Sequence, residues 1–245
     1  MAYLDSGKPR GGPQNGHISP PLQRPFDPAG SARYAKLMPL EFLISALVTL
    51  AVVVDPLGLV PAFTAITHGL PIRARRAVAL RACLIAMAIL AGSALIGDWL
   101  LRTLAISMPA FRIAGGLLLF SIASEMVFGV RIERQSREAE EAIDEHVRNV
   151  AAFPLAIPLM AGPGAITATV LLASRAGGDP ARLAMLLGVV VVVLLLCFVA
   201  FMLAARIAAL LGTTANVVLS RLLGVLLVAL AVQFVIDGVR AALAG

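Results

Sequence analysis

The chain has 245 residues, of which 60% are hydrophobic and 14% are charged. Soluble domains are about half apolar and about a quarter charged, so this composition excludes an ordinary soluble domain and predicts a polytopic, all-α membrane protein. The formal net charge of +6 is spread over tails and loops, so we expect contact with the lipid bilayer and no binding of nucleic acid.

The first predicted region is an N-terminal tail, residues 1–36. It is rich in proline, glycine and polar residues and has no hydrophobic periodicity. Such a segment cannot bury enough apolar surface to offset its chain entropy, so we predict that it is disordered. Apolar sequence begins only near Leu37, which argues against a signal peptide at this end.

Six stretches after the tail are candidates for crossing a bilayer, which takes about 20 apolar residues. They are roughly 40–68, 77–101, 108–129, 152–174, 183–211 and 217–242. The closely alternating acids and bases of 130–150 are typical of a solvated connecting helix or loop, with a partner-binding site as the alternative. We therefore predict two three-helix units, 37–129 and 151–245, joined by that loop.

Two of these spans are interrupted by proline and glycine. The first contains Asp55, Pro56, Gly58 and Pro61 within "DPLGLVP", and the fourth contains "AGPGA" at 161–165. A backbone group freed by proline is tolerated in a membrane only beside protein or a wet cavity. The breaks are thus either kinks packed by neighbouring helices or discontinuous helices that face a substrate.

The third and sixth spans share a register that needs no gap. Because each half has three spans, the second half must enter the membrane from the opposite side, which predicts an inverted repeat. Interrupted spans at corresponding places of two inverted halves are typical of the midplane site of a secondary transporter. The matched residues are Arg112 with Arg221, Gly115 with Gly224, and Gly129 with Gly238.

The orientation follows from the arginines of the short loops. More arginines lie in the loops after the first, third and fifth spans than on the opposite side. Positive charge marks the cytoplasmic side, so we predict that both termini lie outside the cytoplasm.

The second break predicts an anion site. Gly162, Pro163 and Gly164 would end one half-helix and begin another, whose free N–H groups near Thr167 suit a carboxylate.

Asp55 lies in the first break, and a charge at mid-membrane costs about 3 kcal/mol. It has three candidate roles: holding a substrate ammonium, carrying a proton, or capping the half-helix that Pro56 begins.

The remaining polar residues of the spans have weaker signals. Gln233 is a candidate lining group, and threonines beside the breaks either line the site or hydrogen-bond to their own helix. Arg112 and Arg221 either anchor span ends at the interface or form a gating salt bridge across the repeat. Glu125, toward a span end, is a further candidate for a gating or structural charge. The other residues considered are Thr64, Thr67, Thr167, Thr169 and, near a span end, Asp237, while Cys83 and Cys197 are expected to pack in the core.

Enzyme activity is disfavoured, and with it a cofactor or a metal. The histidines His17, His68 and His146 all lie in tails or loops, and no HExxH motif or phosphate-cradling glycine loop is present. An aspartyl protease would need two facing intramembrane aspartates, but Asp237 lies near a span end.

Four motifs together resemble the MarC family of bacterial inner-membrane proteins over residues 38–242. They are "DPLGLVPAFTAIT", "FRIAGGLLLF", "PLAIPLMAGPGAIT" and "SRLLGVLLVALAVQFVIDG". The resemblance implies six transmembrane helices with both termini periplasmic. Some members, of the SnatA type, are described as proton-coupled transporters of glycine and alanine, and others have been linked to multiple antibiotic resistance. The family motifs fall on both breaks, whereas the long tail departs from the family pattern.

We therefore predict a site for a small zwitterion, with its carboxylate on the Thr167 half-helix and its ammonium near Asp55. The alternatives are transport or export of another metabolite or drug, or a scaffold or regulator that transports nothing. An Asp55 buried against an arginine in dry packing would favour the scaffold. The sequence leaves a homo-oligomer open.

Overall fold

The computed structural model describes residues 28–131, 134, 137 and 151–244. Contacts divide the chain after Leu37, and the unit from Met38 onward contains the features that follow. Regular structure in the described residues is helical throughout, which confirms the all-α prediction. The elements are α1 (Pro28–Val54), α2 (Leu59–Ile66), α3 (Ile72–Thr103), α4 (Met108–Phe128), a π-helix (Ala151–Met160), α5 (Pro163–Arg175), α6 (Pro180–Met202) and α7 (Ala204–Ala244).

Four of the described helices are long and apolar enough to cross a membrane: α3, α4, α6 and the Val217–Ala244 part of α7. Leu40–Val54 of α1 and α2 add a fifth span if this pair, bent by 46°, crosses as one. The fourth predicted span is divided between the π-helix and α5, and each piece is shorter than a membrane is thick. The described residues thus supply up to five of the six predicted spans.

Helix α1 begins at Pro28, within the predicted N-terminal tail. One predicted boundary is wrong. The fifth span ends at Met202 and not near 211, because the sequence stays apolar through the turn at Leu203 and hydropathy does not mark it. Residues 1–27 of the tail and most of the connecting loop lie outside the described residues.

Helices α4 and α7 pack closely through glycines. A Cβ on Gly116 would lie 2.8 Å from the Ala231 carbonyl oxygen, and one on Gly224 would lie 2.8 Å from the Met126 Cβ. Larger residues at either place would force the helices apart, so these glycines set the helix separation.

The contacts at the two ends of this helix pair are reciprocal. Gly129, the left-handed C-cap of α4, lies against the Arg221 guanidinium, and Gly238 of α7 lies against the Cβ of Arg112. These are the residues that the sequence register matched, and the helices run antiparallel. Each half-helix also packs against the long helices of the other half: α2 contacts α6 and α7, and α5 contacts α3 and α4.

The core lies around the half-helices, and large apolar side chains cover the outer faces of the long helices. In the core, the rings of Phe63 and Phe201 stack 4.4 Å apart and join α2 to α6. Cys83 and Cys197 are buried and free, as predicted. Exposed leucines such as Leu84 and Leu195 suit contact with lipid.

Candidate functional site

The first break is closed by the side chain of Asp55. This residue has a positive φ of 55° and is 3% exposed. Its Oδ1 accepts a hydrogen bond of 3.0 Å from the Gly58 N–H, and its carbonyl accepts one of 3.2 Å from the Leu59 N–H. Pro56 follows it, so the Asp55 carboxylate closes the turn that leads into α2. The N-cap of α2 itself is Gly58, and no side chain caps the helix, so Asp55 is not the predicted N-cap. A Cβ on Gly58 would overlap the carboxylate, which explains the glycine.

A buried arginine completes this break. Arg131 is 5% exposed, and its Nη2 donates a 3.0 Å hydrogen bond to the Val53 carbonyl, one of those that the break frees. Its Nη1 lies 2.9 Å from the Met126 sulfur, and its charge attracts that of Asp55. In the sequence, Arg131 falls within the predicted connecting loop, 130–150. One sequence feature indicates a role in the core: Arg131 comes two residues after Gly129, the C-cap of α4, so its side chain stays close to the packed helices.

The second break is open by comparison. Gly162 is the N-cap of α5, in an extended conformation, and no side chain caps the helix. The first intrahelical bond runs from the Ile166 N–H to the Gly162 carbonyl at 3.0 Å, which leaves the earlier N–H groups of α5 without an intrahelical partner. A Cβ on Gly162 would overlap the Pro158 carbonyl oxygen, so only glycine fits at this turn.

A cavity of about 260 Å³ lies beside the second break. Three charged residues line it: Glu125, Arg131 and Arg134. Glu125 and Arg134 form an ion pair of 2.9 Å. The other lining residues are Val53, Leu118, Ser121, Ile122, Pro158, Leu159, Met160, Gly162, Pro163, Gly164 and Ala165. One acid, two arginines and a helix N-terminus therefore converge on a space suited to a small ligand that carries a carboxylate.

The two breaks approach each other at this cavity. A Cβ on Gly164 would lie 3.6 Å from Cγ1 of Val53, and Val53 lines the cavity. Asp55 does not: its carboxylate points to its own half-helix, next to a buried arginine. That arrangement favours a structural role for this residue. The acid that lines the cavity is Glu125, which the sequence placed among gating or structural charges.

The threonines beside the breaks are occupied locally. The hydroxyls of Thr64, Thr67 and Thr169 donate to carbonyls four residues earlier in their own helices. Thr167 is buried, and its methyl group occupies the space that a side chain on Gly115 would need. Of the predicted substrate contacts, the cavity therefore includes Gly162, Pro163 and Gly164.

The remaining predicted residues lie elsewhere. Gln233 is exposed and donates a 2.7 Å hydrogen bond to Asp237, which also pairs with Arg175 at 3.7 Å. In the described part of the chain, neither Arg112 nor Arg221 forms an ion pair, so the predicted gating bridge across the repeat is not found there.

Comparison with known proteins identifies the family. The model of the MarC family of integral membrane proteins matches residues 40–243. The UPF0056 membrane protein MJ1677 of Methanocaldococcus jannaschii is 35% identical over 209 residues, which cover 84% of this chain and 100% of that protein. A UPF0056 membrane protein of Archaeoglobus fulgidus is 37% identical over 200 residues, 81% of this chain and 92% of the relative.

A bacterial relative and the solved structures complete the comparison. The UPF0056 membrane protein YhcE of Escherichia coli is 34% identical over 190 residues, 76% of this chain and 86% of that protein. No solved structure matches the chain. The family model spans both helix breaks and the cavity between them, and the chain belongs to the MarC family of integral membrane proteins.

Proposed function

We propose that this protein is a secondary transporter of small neutral amino acids, and that the substrate binds in the cavity at the second break. The observation that carries the proposal is the uncapped N-terminus of α5, which faces a small cavity lined by charges of both signs. A zwitterion needs such a pairing of an anion site with a cation site.

Each end of the substrate has a partner in this proposal. The carboxylate accepts hydrogen bonds from the first N–H groups of α5 and from Arg131, which is buried and already fixed on Val53. The ammonium binds Glu125, which exchanges its present partner Arg134 for the substrate. This differs from the sequence prediction, which gave the ammonium to Asp55.

The size of the cavity supports a small substrate. Its volume of about 260 Å³ lies below the roughly 300–1,000 Å³ typical of drug-sized ligands. Leu118, Ile122 and Pro158 bound it with apolar surface, which suits a hydrogen atom or a methyl group as the amino-acid side chain. This favours glycine and alanine over a drug.

Reciprocal packing supports an inverted-repeat transporter. The half-helices α2 and α5 each contact the two long helices of the other half, and the end contacts of α4 and α7 are exchanged in the same manner. We place the protein in the inner membrane with periplasmic termini, so the cavity, near the C-terminal end of α4, belongs to the cytoplasmic half. Transport changes no covalent bond, so we propose no enzymatic activity.

The second candidate is a scaffold that transports nothing. Its support is Asp55, which is buried near Arg131 as a structural joint would be.

The test is uptake of labelled alanine and glycine into proteoliposomes, with and without an inward proton gradient. Glu125→Gln removes the proposed ammonium partner and should weaken apparent affinity roughly tenfold or more, the effect of losing one charge-assisted hydrogen bond. Asp179→Asn is the matched control, because Asp179 also belongs to an arginine ion pair but does not line the cavity, and asparagine still offers an acceptor to the Ala181 N–H.

The outcomes separate the candidates. Saturable uptake that Glu125→Gln weakens and Asp179→Asn preserves supports the proposed site. Stimulation by the gradient adds proton coupling. No uptake of either amino acid by folded protein rejects the proposal, and uptake that is insensitive to Glu125→Gln rejects the ammonium site.

A further inference from the structure

A second cavity lies at the other end of α4 and α5. Its volume is about 380 Å³, and the N-terminal part of α4 and the C-terminal parts of α3 and α5 line it. Helix α5 thus has its first residues on one cavity and its last residues on the other. The polar lining residues of this second cavity are Asp98, Arg102, Arg112 and Ser174.

The charges of this cavity do not balance. Arg102 pairs with Asp98 at 2.7 Å, which neutralises both. Arg112 is half-buried, and within the described ranges no hydrogen bond or ion pair joins its guanidinium to another residue. One arginine charge therefore remains uncompensated on the wall.

The neighbouring arginine adds to this excess. Arg175 repels Arg112, but it has its own partners: Asp237 at 3.7 Å and the face of the Phe234 ring at 4.8 Å. Its position is therefore accounted for without a ligand. In Arg112, the atom in close contact is the Cβ, which packs against Gly238, and not the guanidinium.

Interfacial anchoring does not explain this arrangement fully. An arginine that only anchors a helix extends its guanidinium into the headgroup layer. Arg112 instead lies on a concave wall next to Ser174 and the turn at Gly177 and Gly178. A cavity wall with one unpaired guanidinium is an arrangement that binds planar anions, and carboxylates in particular.

We propose that the second cavity binds the carboxylate of a small molecule through Arg112, as a station distinct from the cavity at the helix break. The identity of this molecule as the transported amino acid rests on the proposed function, whereas the carboxylate site itself does not. The substrate carboxylate would bind Arg112 near the C-terminal end of α5 in one cavity and the free N–H groups at the N-terminal end of α5 in the other.

The first test measures the charge preference of the cavity. Both native cysteines are buried, so Ser174→Cys provides a reporter thiol on the cavity wall. We would compare its labelling rates with an anionic and a cationic methanethiosulfonate reagent, in this background and after adding Arg112→Gln or Arg112→Lys. The protein with native cysteines alone gives the background rate.

We expect Arg112→Gln to lower the anionic-to-cationic rate ratio roughly fivefold to tenfold, from the loss of one charge several ångströms from the thiol. Arg112→Lys, which keeps the charge, should leave the ratio within about twofold. A ratio that does not respond to Arg112→Gln would overturn the proposal.

The second test identifies the ligand by its protection of the reporter thiol from labelling in the Ser174→Cys variant. L-alanine and acetate should slow labelling and alaninamide, which lacks the carboxylate, should not; Arg112→Gln should remove the protection. Equal protection by chloride and acetate would overturn the carboxylate assignment. Protection by acetate in a protein that fails to take up alanine would reject the proposed function and retain the site.

Discussion

The two helix breaks use similar residues and have different structures. At the first, the Asp55 carboxylate accepts from the Gly58 N–H and Arg131 donates to the freed Val53 carbonyl, so side chains satisfy these exposed backbone groups. At the second, Gly162 caps α5 without a side chain, and the helix N-terminus borders a cavity. A break therefore indicates a binding site only where its backbone groups are left for a ligand.

Asp55 and Gly162 therefore have roles opposite to those that their side chains suggest. Asp55 is costly to place in a membrane, yet its hydrogen bond from the Gly58 N–H and its neighbouring arginine account for it. Gly162 carries no functional group, yet its lack of a side chain leaves the N–H groups of α5 accessible.

The largest expected effect is on the first break. Asp55→Ala leaves the buried Gly58 N–H without its acceptor, at a cost of about 1–3 kcal/mol, and leaves Arg131 buried without its nearby negative charge. We expect the free energy of unfolding to fall by more than about 3 kcal/mol, measured by unfolding in mixed SDS and neutral-detergent micelles. Asp55→Asn, which keeps an acceptor for Gly58, should cost less. If Asp55→Asn unfolds normally but loses all uptake, Asp55 has a transport role and the comparison fails.

A double-mutant cycle sharpens this prediction. If Asp55 and Arg131 stabilise one joint, Arg131→Met added to Asp55→Ala should cost less than the sum of the two single changes, with a coupling of about 0.5–3 kcal/mol. Additive losses in the same unfolding assay would show that the two residues act independently.

The second break should respond next most strongly. Gly162→Ala places a Cβ against the Pro158 carbonyl, and we expect a loss of stability of about 1–3 kcal/mol together with reduced alanine uptake. The control is Gly188→Ala in α6, where a Cβ meets nothing within 4 Å and should not destabilise the protein. Normal stability and uptake of Gly162→Ala would contradict the role of this glycine.

The smallest effect is expected from the threonines. Thr64→Val and Thr169→Val remove hydroxyls that bond only to carbonyls of their own helices. Alanine uptake should keep its apparent affinity within about twofold, and stability should change by less than about 1 kcal/mol. A tenfold loss of affinity in either variant would place that threonine in the substrate site.

Hydropathy predicts the long membrane-spanning helices, because these depend on local composition. The long helices α3 and α4 and the final part of α7 are apolar along their length, and the structure has them close to their predicted places, whereas α6 ends before its predicted bound. Proline and glycine likewise predict where the chain breaks, because they act on the backbone of their own segment.

The chemistry of the breaks depends on tertiary contacts that composition does not encode. Nothing within "DPLG" indicates that Arg131, far along the chain, donates to the Val53 carbonyl. The role of Glu125 was also not predictable, since a charge near a span end faces either solvent or a cavity according to how helices pack. The reciprocal contacts of Arg112 and Arg221 do follow the predicted register, because glycines fix which residues can approach.

The glycine contacts between α4 and α7 have a consequence for movement. Helices in backbone contact cannot slide or rotate past each other without collision, so this pair behaves as a rigid frame. Helix α5 is connected to the π-helix through Gly162 and to α6 through the short turn after Arg175. Rotation about a few backbone dihedrals at these two connections would let the helix move as a unit. If the protein transports as proposed, we expect its change of access to be a rocking of short helices against this frame, which a cross-link between α4 and α7 would leave intact.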